Sequence, residues 1–433
     1  KKDNLTQNLR TKSIFIYLII AFFSFFFNFW VSNKGVFPID TFLHYDSGYK
    51  ILKGEVPVRD YWIIHGITID YIQSIFFYFF GTNWISYISH SSLFNCVITL
   101  LIFNFFKKLK INIVFALILT ICFSILAYPI SGVPFIDHHS TFFSLIAFIF
   151  FYYAYKENND NYFLFIPFIF ILAFFSKPVP AAYFLILFFL VTMIYINYEK
   201  NFKILYKLFL GIFFTLIFFV TFLKIQDISF KLFFDQLIFY PISIGTQRFD
   251  TLISAFENRI FNFKFLIIPI LFLFYLCMYN KNYLRLAKSD ISIFFIIIAF
   301  NIIMIFHQLL TKNQNFIFFL IPINVALVIY LLSKVNVKHK KFFNVFFLVF
   351  TIVLTFKYNQ RFNFERKFHD LQNVNLNNYS KATDIDKTLH PLKWQSNVFS
   401  NSKKEIELIN NLISIINKSD KNIILISNYN FLD

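Results

Sequence analysis

Apolar segments long enough to cross a bilayer recur along this chain of 433 residues and constrain its fold more than any other feature. Hydrophobic residues make up 58% of the chain and charged residues 15%, a balance too apolar for an ordinary soluble domain. Because a span needs roughly 20 apolar residues, the pattern predicts an all-α polytopic membrane protein with about 11 transmembrane helices. The predicted spans are 13–31, 84–106, 111–129, 139–155, 161–176, 179–197, 205–223, 263–279, 290–306, 316–333 and 342–357.

The distribution of basic residues predicts the orientation of these helices. The formal net charge is +17, and the basic residues cluster in short loops, such as those holding Lys107 and Lys108, or Lys200 and Lys203. Cytoplasmic loops carry such an excess, so the charge indicates topology rather than nucleic-acid binding. We expect a multi-pass protein of the bacterial inner membrane, with its active site and its C-terminus extracytoplasmic.

The first extracytoplasmic loop concentrates the acidic residues that the rest of the chain avoids. The segment 38–81 holds four aspartates and two histidines: Asp40, His44, Asp46, Asp60, His65 and Asp70. A short helix over 47–53 and a membrane-lying helix over 67–80 are predicted here. Asp46 is a candidate general base or divalent-cation ligand. Alternatively, it is the N-cap of the short helix.

The stretch DSGYKILKGEVPVRDYWIIHGITIDYIQSIFFYFFG, from Asp46 to Gly81, resembles the GT-C superfamily of polytopic glycosyltransferases. That group uses polyprenyl-phosphate-linked sugars and includes protein mannosyltransferases, aminoarabinose transferases and RgtA-type domains. The resemblance is specific over 40–81 and covers 13–357 only in layout. It implies a GT-C-like catalytic domain over 1–357, in which Asp46 is catalytic and Tyr49, Asp60 and His65 contact substrate. Many members carry two adjacent acids where this chain has Asp46 and Ser47.

A second candidate cluster is Asp137 with His138, between the third and fourth spans. A carboxylate beside an imidazole suits a divalent cation such as Mg²⁺, Mn²⁺ or Zn²⁺. The alternative is that Asp137 caps the fourth helix.

Three basic residues on the same side predict a phosphate-binding function. Lys177 lies in a Ser-Lys-Pro turn, Arg248 in GTQRFD, and Lys312 in TKNQNF together with Gln314, a further candidate for substrate binding. Fixed cations bind phosphate oxygens and stabilise the charge that grows on a leaving phosphate. Taken singly, each side chain also fits a lysine or arginine reaching the membrane interface.

The polar C-terminal part, 358–433, is predicted to be an extracytoplasmic domain that is incomplete at its end. Apolar residues at helical spacing predict a helix over 403–419, and NIILISNY predicts a strand over 422–429, so a partial α/β domain is expected.

These features favour a membrane glycosyltransferase that moves a sugar from a polyprenyl-phosphate donor to a hydroxyl of a glycan, lipid or protein acceptor. Membrane lipids are the other expected partners, and no nucleic acid is expected. A non-catalytic lipid-linked saccharide transporter or flippase and a membrane assembly scaffold remain the alternatives. The chain contains no Walker or dinucleotide-binding motif, which disfavours a nucleotide-driven pump.

Overall fold

The computed structural model describes residues 2–246, 248–279, 288–311, 316–335, 337–374 and 378–418, and these are mostly helical. In chain order the α-helices α1 to α17 are Lys2–Val31, Pro38–Leu52, Thr68–Phe80, Trp84–Lys108, Ile113–Leu126, Ile136–Glu157, Tyr162–Phe174, Pro178–Glu199, Lys203–Ile225, Phe230–Phe234, Tyr240–Thr246, Leu252–Arg259, Lys264–Tyr279, Lys288–Thr311, Leu320–Lys334, Lys340–Asn359 and Ser402–Lys418. Two strands of two residues each, β1 (Ser380–Lys381) and β2 (Lys393–Trp394), pair antiparallel.

The predicted spans are all helical, and within the described ranges nine helical segments are long and apolar enough to cross a membrane. The other two predicted spans correspond to α6 and α7. Helix α7 has 13 residues, and the first turn of α6 contains Asp137. The protein is thus an all-α polytopic membrane protein, and the count of 11 spans stays a prediction.

The first loop is more helical than predicted, because α2 begins at Pro38 rather than near residue 47. Proline has a backbone angle suited to the first helical turn, and Asp40 lies in that turn, where a negative charge is favourable. The helix ends before Gly54, whose φ of 97° suits glycine. Asp46 therefore lies inside a helix, and the alternative that it is an N-cap is wrong.

The segment 224–262, which separates the predicted spans 205–223 and 263–279, is not an extended loop. It contains the short helices α10, α11 and α12, a π-helical turn at Asp235–Phe239 and 3₁₀ turns at Phe249–Thr251 and Ile260–Phe263. Such irregular helical turns are frequent at functional sites and connectors.

The described chain forms two compact units, the first of which comprises 1–52, 72–135 and 348–433. Its core joins α2 to the C-terminal part: the rings of Phe42 and Trp394 lie 5.8 Å apart, and Ile406 of α17 belongs to the same cluster. The predicted helix over 403–419 is confirmed over Ser402–Lys418. The predicted strand over 422–429 lies outside the described residues.

The second unit comprises 53–71 and 136–347. Gln236 holds the loop before α3, because its side-chain amide donates to the carbonyl of Val58 at 2.9 Å and accepts from the amide of Ile63 at 3.1 Å. Further along the loop, the amide of Gly66 donates to the carbonyl of Ser176 at 3.2 Å. The loop is thereby tied to the turn that carries Lys177.

Replacing Gly66 by Ala should destabilise this attachment. A Cβ atom at Gly66 would lie 1.8 Å from the carbonyl oxygen of Phe175, a backbone atom that cannot move freely. Overpacking of this kind costs about 1–3 kcal/mol, so we expect a clearly lower melting temperature of the purified protein. Gly245→Ala is the matched control, since a Cβ there meets no atom within 4 Å. Equal melting temperatures for the two variants would contradict this account of Gly66.

Candidate functional site

Asp46 lines a cavity of about 500 Å³ in the first unit. The walls come from α2, through Tyr45, Asp46 and Tyr49, and from the C-terminal part. That second group of lining residues is Ile385, Asp386, Thr388, Leu389, Ile413, Ile416 and Asn417. The Asp46 side chain is 14% exposed and accepts from Lys50 Nζ at 2.9 Å, one helical turn further on. The cavity thus offers a partly accessible carboxylate among tyrosines.

Tyr45 links the two walls of this cavity. Its ring is packed against Phe42 and Phe77, and its phenol hydrogen-bonds with Thr388. Burial raises the pKa of Tyr45 to about 12, so the phenol is protonated at neutral pH. The Thr388 hydroxyl and amide in turn donate to Asp386, at 2.5 and 2.7 Å. These bonds hold the polar groups of the wall in place.

The Asp60 carboxylate stabilises the conformation of the first loop. Its carboxylate accepts from the Arg59 guanidinium at 2.8 Å and from the amide of Val56 at 2.7 Å. Arg59 also donates to the carbonyl of Gln226 at 2.9 Å. The hydrogen bond from Arg59 is the main reason why the pKa of Asp60 falls to about 2. The predicted substrate contact of Asp60 remains a prediction.

The pair of Arg59 and Asp60 gives an acid-dependent prediction. Since the folded-state pKa of Asp60 is lowered from 3.8 to about 2, its contribution to stability is present above pH 4 and is lost as the pH falls towards 2. Arg59→Gln should therefore lower the melting temperature at pH 6, and the difference from the wild type should become smaller near pH 2, where only the bond from Arg59 to the Gln226 carbonyl remains to be lost. Lys231 is an exposed basic residue of α10, so Lys231→Gln is the control. A difference that is constant with pH would rule out the ion pair as its origin.

His65 forms a buried pair with Asp70. Its Nε2 lies 3.0 Å from Asp70 Oδ2, and the two side chains are 7% and 0% exposed. The hydrogen bond from Gly66 to Ser176 holds the loop that carries His65 against the end of α7. Asp70, which was not among the predicted site residues, is therefore the partner that orients His65.

A buried ionisable cluster, which we call the Asp137 cluster, lies in the second unit. One carboxylate oxygen of Asp137 accepts from Lys177 Nζ at 2.7 Å, and the other lies 2.9 Å from His307 Nε2. Asp137 is 1% exposed, His307 is fully buried and Lys177 is 21% exposed. The cluster gathers the first turn of α6, the residue before α8 and the end of α14.

The Asp137 cluster contains one residue that the sequence analysis missed. The ninth predicted span ends at residue 306, yet α14 continues to Thr311 and carries His307 inside the helix. A histidine at the end of an otherwise apolar segment is the signal that would have found it. Arg248 is exposed, and its charge acts on His307, so two of the three predicted phosphate-binding residues lie near this cluster. Lys312 and Gln314 lie outside the described residues.

The contacts of Asp137 and His138 do not fit the predicted metal site. Neighbouring residues on a helix do not share a face, and the His138 ring stacks on Phe316 with a centroid distance of 5.0 Å. Lys177, bonded to Asp137, repels a second cation at the same carboxylate. The divalent cation stays a prediction, and the mechanism proposed below uses none.

The fold and these clusters define a polytopic helical membrane protein with a polar cavity and a buried ionisable cluster. No protein-family model, curated protein or solved structure matches the chain.

Proposed function

We propose that the protein is a GT-C-type glycosyltransferase that moves a sugar from a polyprenyl-phosphate donor to an acceptor hydroxyl. The observation that carries the proposal is the carboxylate of Asp46 at the wall of a cavity of about 500 Å³, beside Tyr45 and Tyr49. Cavities of several hundred Å³ suit small organic groups. A positioned carboxylate is the base that an attacking hydroxyl needs.

In the proposed reaction, Asp46 accepts the proton of the acceptor hydroxyl as its oxygen attacks the anomeric carbon of the sugar. The bond between that carbon and the phosphate oxygen breaks, the phosphate leaves with the electron pair, and the configuration inverts. The hydrogen bond from Lys50 orients the carboxylate. The hydroxyls of Tyr45 and Tyr49 are suited to orient the acceptor, since tyrosine both donates and accepts hydrogen bonds.

Lys177 and Arg248, both of the second unit, are the candidates for binding a phosphate group. An ammonium group has three donors, and within the described residues Lys177 Nζ uses one of them for Asp137. Asp137 and His307 then act as positioning residues that hold the lysine. A cation fixed in this way binds phosphate oxygens strongly.

The proposal is tested by incubating the purified full chain with lipid extracts that contain radiolabelled polyprenyl-phosphate sugars. We expect label to move into a product that has lost the phosphate, with inversion at the anomeric carbon. No transfer from any lipid-linked sugar, with protein that is folded by circular dichroism, would refute the enzyme assignment.

The Asp137 cluster supports a second candidate, a lipid-linked saccharide transporter. Buried ionisable residues at membrane depth mark ion or substrate pathways, and His307 lies within the apolar segment Ser292–Thr311. In proteoliposomes such a protein would move a fluorescent lipid-linked saccharide between leaflets without forming a glycosidic bond. Translocation with no transfer product would favour this candidate over the enzyme.

A further inference from the structure

The N-terminal helix carries an apolar groove that ends at a basic group. The groove has a volume of about 920 Å³ and is lined by α1 together with Cys96 of α4. Leu18, Phe22, Phe26 and Trp30 follow one another at four-residue spacing, which places them along one face of the helix. All four are exposed. Lys34 continues the same spacing just beyond the end of α1.

Lys34 is held at the end of this groove by aromatic rings. Its Nζ lies 3.2 Å from the centroid of the Trp30 ring and 4.8 Å from that of Phe364. Tryptophan at the end of a span is typical of the interface between lipid chains and headgroups. The ammonium group therefore lies where the headgroup of a lipid with its chain in the groove would lie.

The surroundings of Lys34 are basic. Burial, followed by the charges of Arg366 and Lys393, lowers the pKa of Lys34 to about 8. Residues 33–35 pair through their backbone with Lys393, and the Lys393 ammonium lies 4.4 Å from the ring of Tyr379. Within the described part of the chain, neither lysine forms an ion pair with a carboxylate. An anion here would relieve the repulsion between the three cations.

Arg366 is the fixed member of this basic group. It is fully buried, and its guanidinium donates to the carbonyls of Lys34, Pro129 and Ser131 at 3.0–3.1 Å. These bonds fix the backbone of Lys34, and because their acceptors are neutral carbonyl groups, they do not neutralise the positive charge of Arg366. Lys34 and Lys393 are left to make the contacts with a ligand.

We infer that α1 binds an anionic phospholipid, with one acyl chain along Leu18, Phe22, Phe26 and Trp30 and the headgroup phosphate at Lys34 and Lys393. Charge complementarity selects this occupant over a zwitterionic lipid, since the phosphate would face two lysines and a nearby guanidinium. The inference is independent of the proposed glycosyl transfer. The outcome of the lipid-binding experiment does not depend on whether the protein transfers a sugar.

The test uses the full chain in phosphatidylcholine nanodiscs and the fluorescence of Trp30. The chain has four tryptophans. Trp84 and Trp394 are buried, and a Trp62→Phe background removes the other exposed indole. Brominated phosphatidylglycerol should quench Trp30 at lower mole fractions than brominated phosphatidylcholine. Lys34→Gln and Lys393→Gln should each weaken the phosphatidylglycerol effect about fivefold, the change expected from roughly 1 kcal/mol per basic residue.

Lys403→Gln in α17 is the matched control and should leave the quenching unchanged. Equal quenching by the two brominated lipids would overturn the inference. This comparison uses protein with both lysines intact, so it holds even if a lysine variant fails to fold. Full retention of the preference in the double variant of Lys34 and Lys393 would also overturn it. Displacement of the lipid by inorganic phosphate at equal concentration would overturn it too, because the groove would then contribute nothing.

Discussion

Replacing Asp46 by Asn should reduce sugar transfer by about 10²–10⁴-fold, the usual contribution of a general base. The amide has nearly the same shape as the carboxylate, so the cavity should keep its form while the proton acceptor is lost. Turnover of a labelled polyprenyl-phosphate sugar by the purified variant measures the effect. Because the substrate-binding groups of the cavity remain, the loss should appear in kcat more than in KM.

Asp40→Asn is the matched control for this experiment. Asp40 lies in the first turn of the same helix, and it is not among the residues that line the cavity. We expect near-normal turnover from this variant. Full turnover by Asp46→Asn, in protein with an unchanged circular dichroism spectrum, would remove Asp46 as the base while leaving the fold assignment intact.

Replacing Lys177 by Met should lower the free energy of unfolding by about 3 kcal/mol, because it leaves the buried carboxylate of Asp137 without its cation. Asp137 is 1% exposed, so water does not replace the lost partner. The double variant Lys177→Met, Asp137→Asn should recover part of the stability, since no uncompensated charge then remains. Thermal unfolding in detergent, followed by circular dichroism, measures both effects.

Lys203→Met provides the comparison for Lys177, because Lys203 is an exposed residue in the first turn of α9. That variant should unfold at the wild-type temperature. If the double variant is no more stable than Lys177→Met alone, the ion pair is not the source of the loss. The Lys177→Arg variant keeps the charge and should retain most of the stability.

Much of the helical layout was predictable because it depends on local properties. The length of an apolar run and the flanking basic residues both act within one segment, and the predicted spans are helical in the structure. Errors arose where a helix is polar. Helix α2 contains nine residues before Ser47 that were predicted to be loop, and the segment 224–262 is divided into short helical turns that no regular periodicity reveals.

The sequence by itself determined the class of protein, because the length of an apolar run is a property of each segment alone. Tertiary structure decided which ionisable groups meet. The bond between Asp137 and His307 joins residues 170 positions apart, and Asp46 faces a cavity whose other wall begins at Ile385. Helical periodicity tells which face of a helix is apolar. It carries no information on which distant helix packs there, and the buried pairs form only when the helices pack.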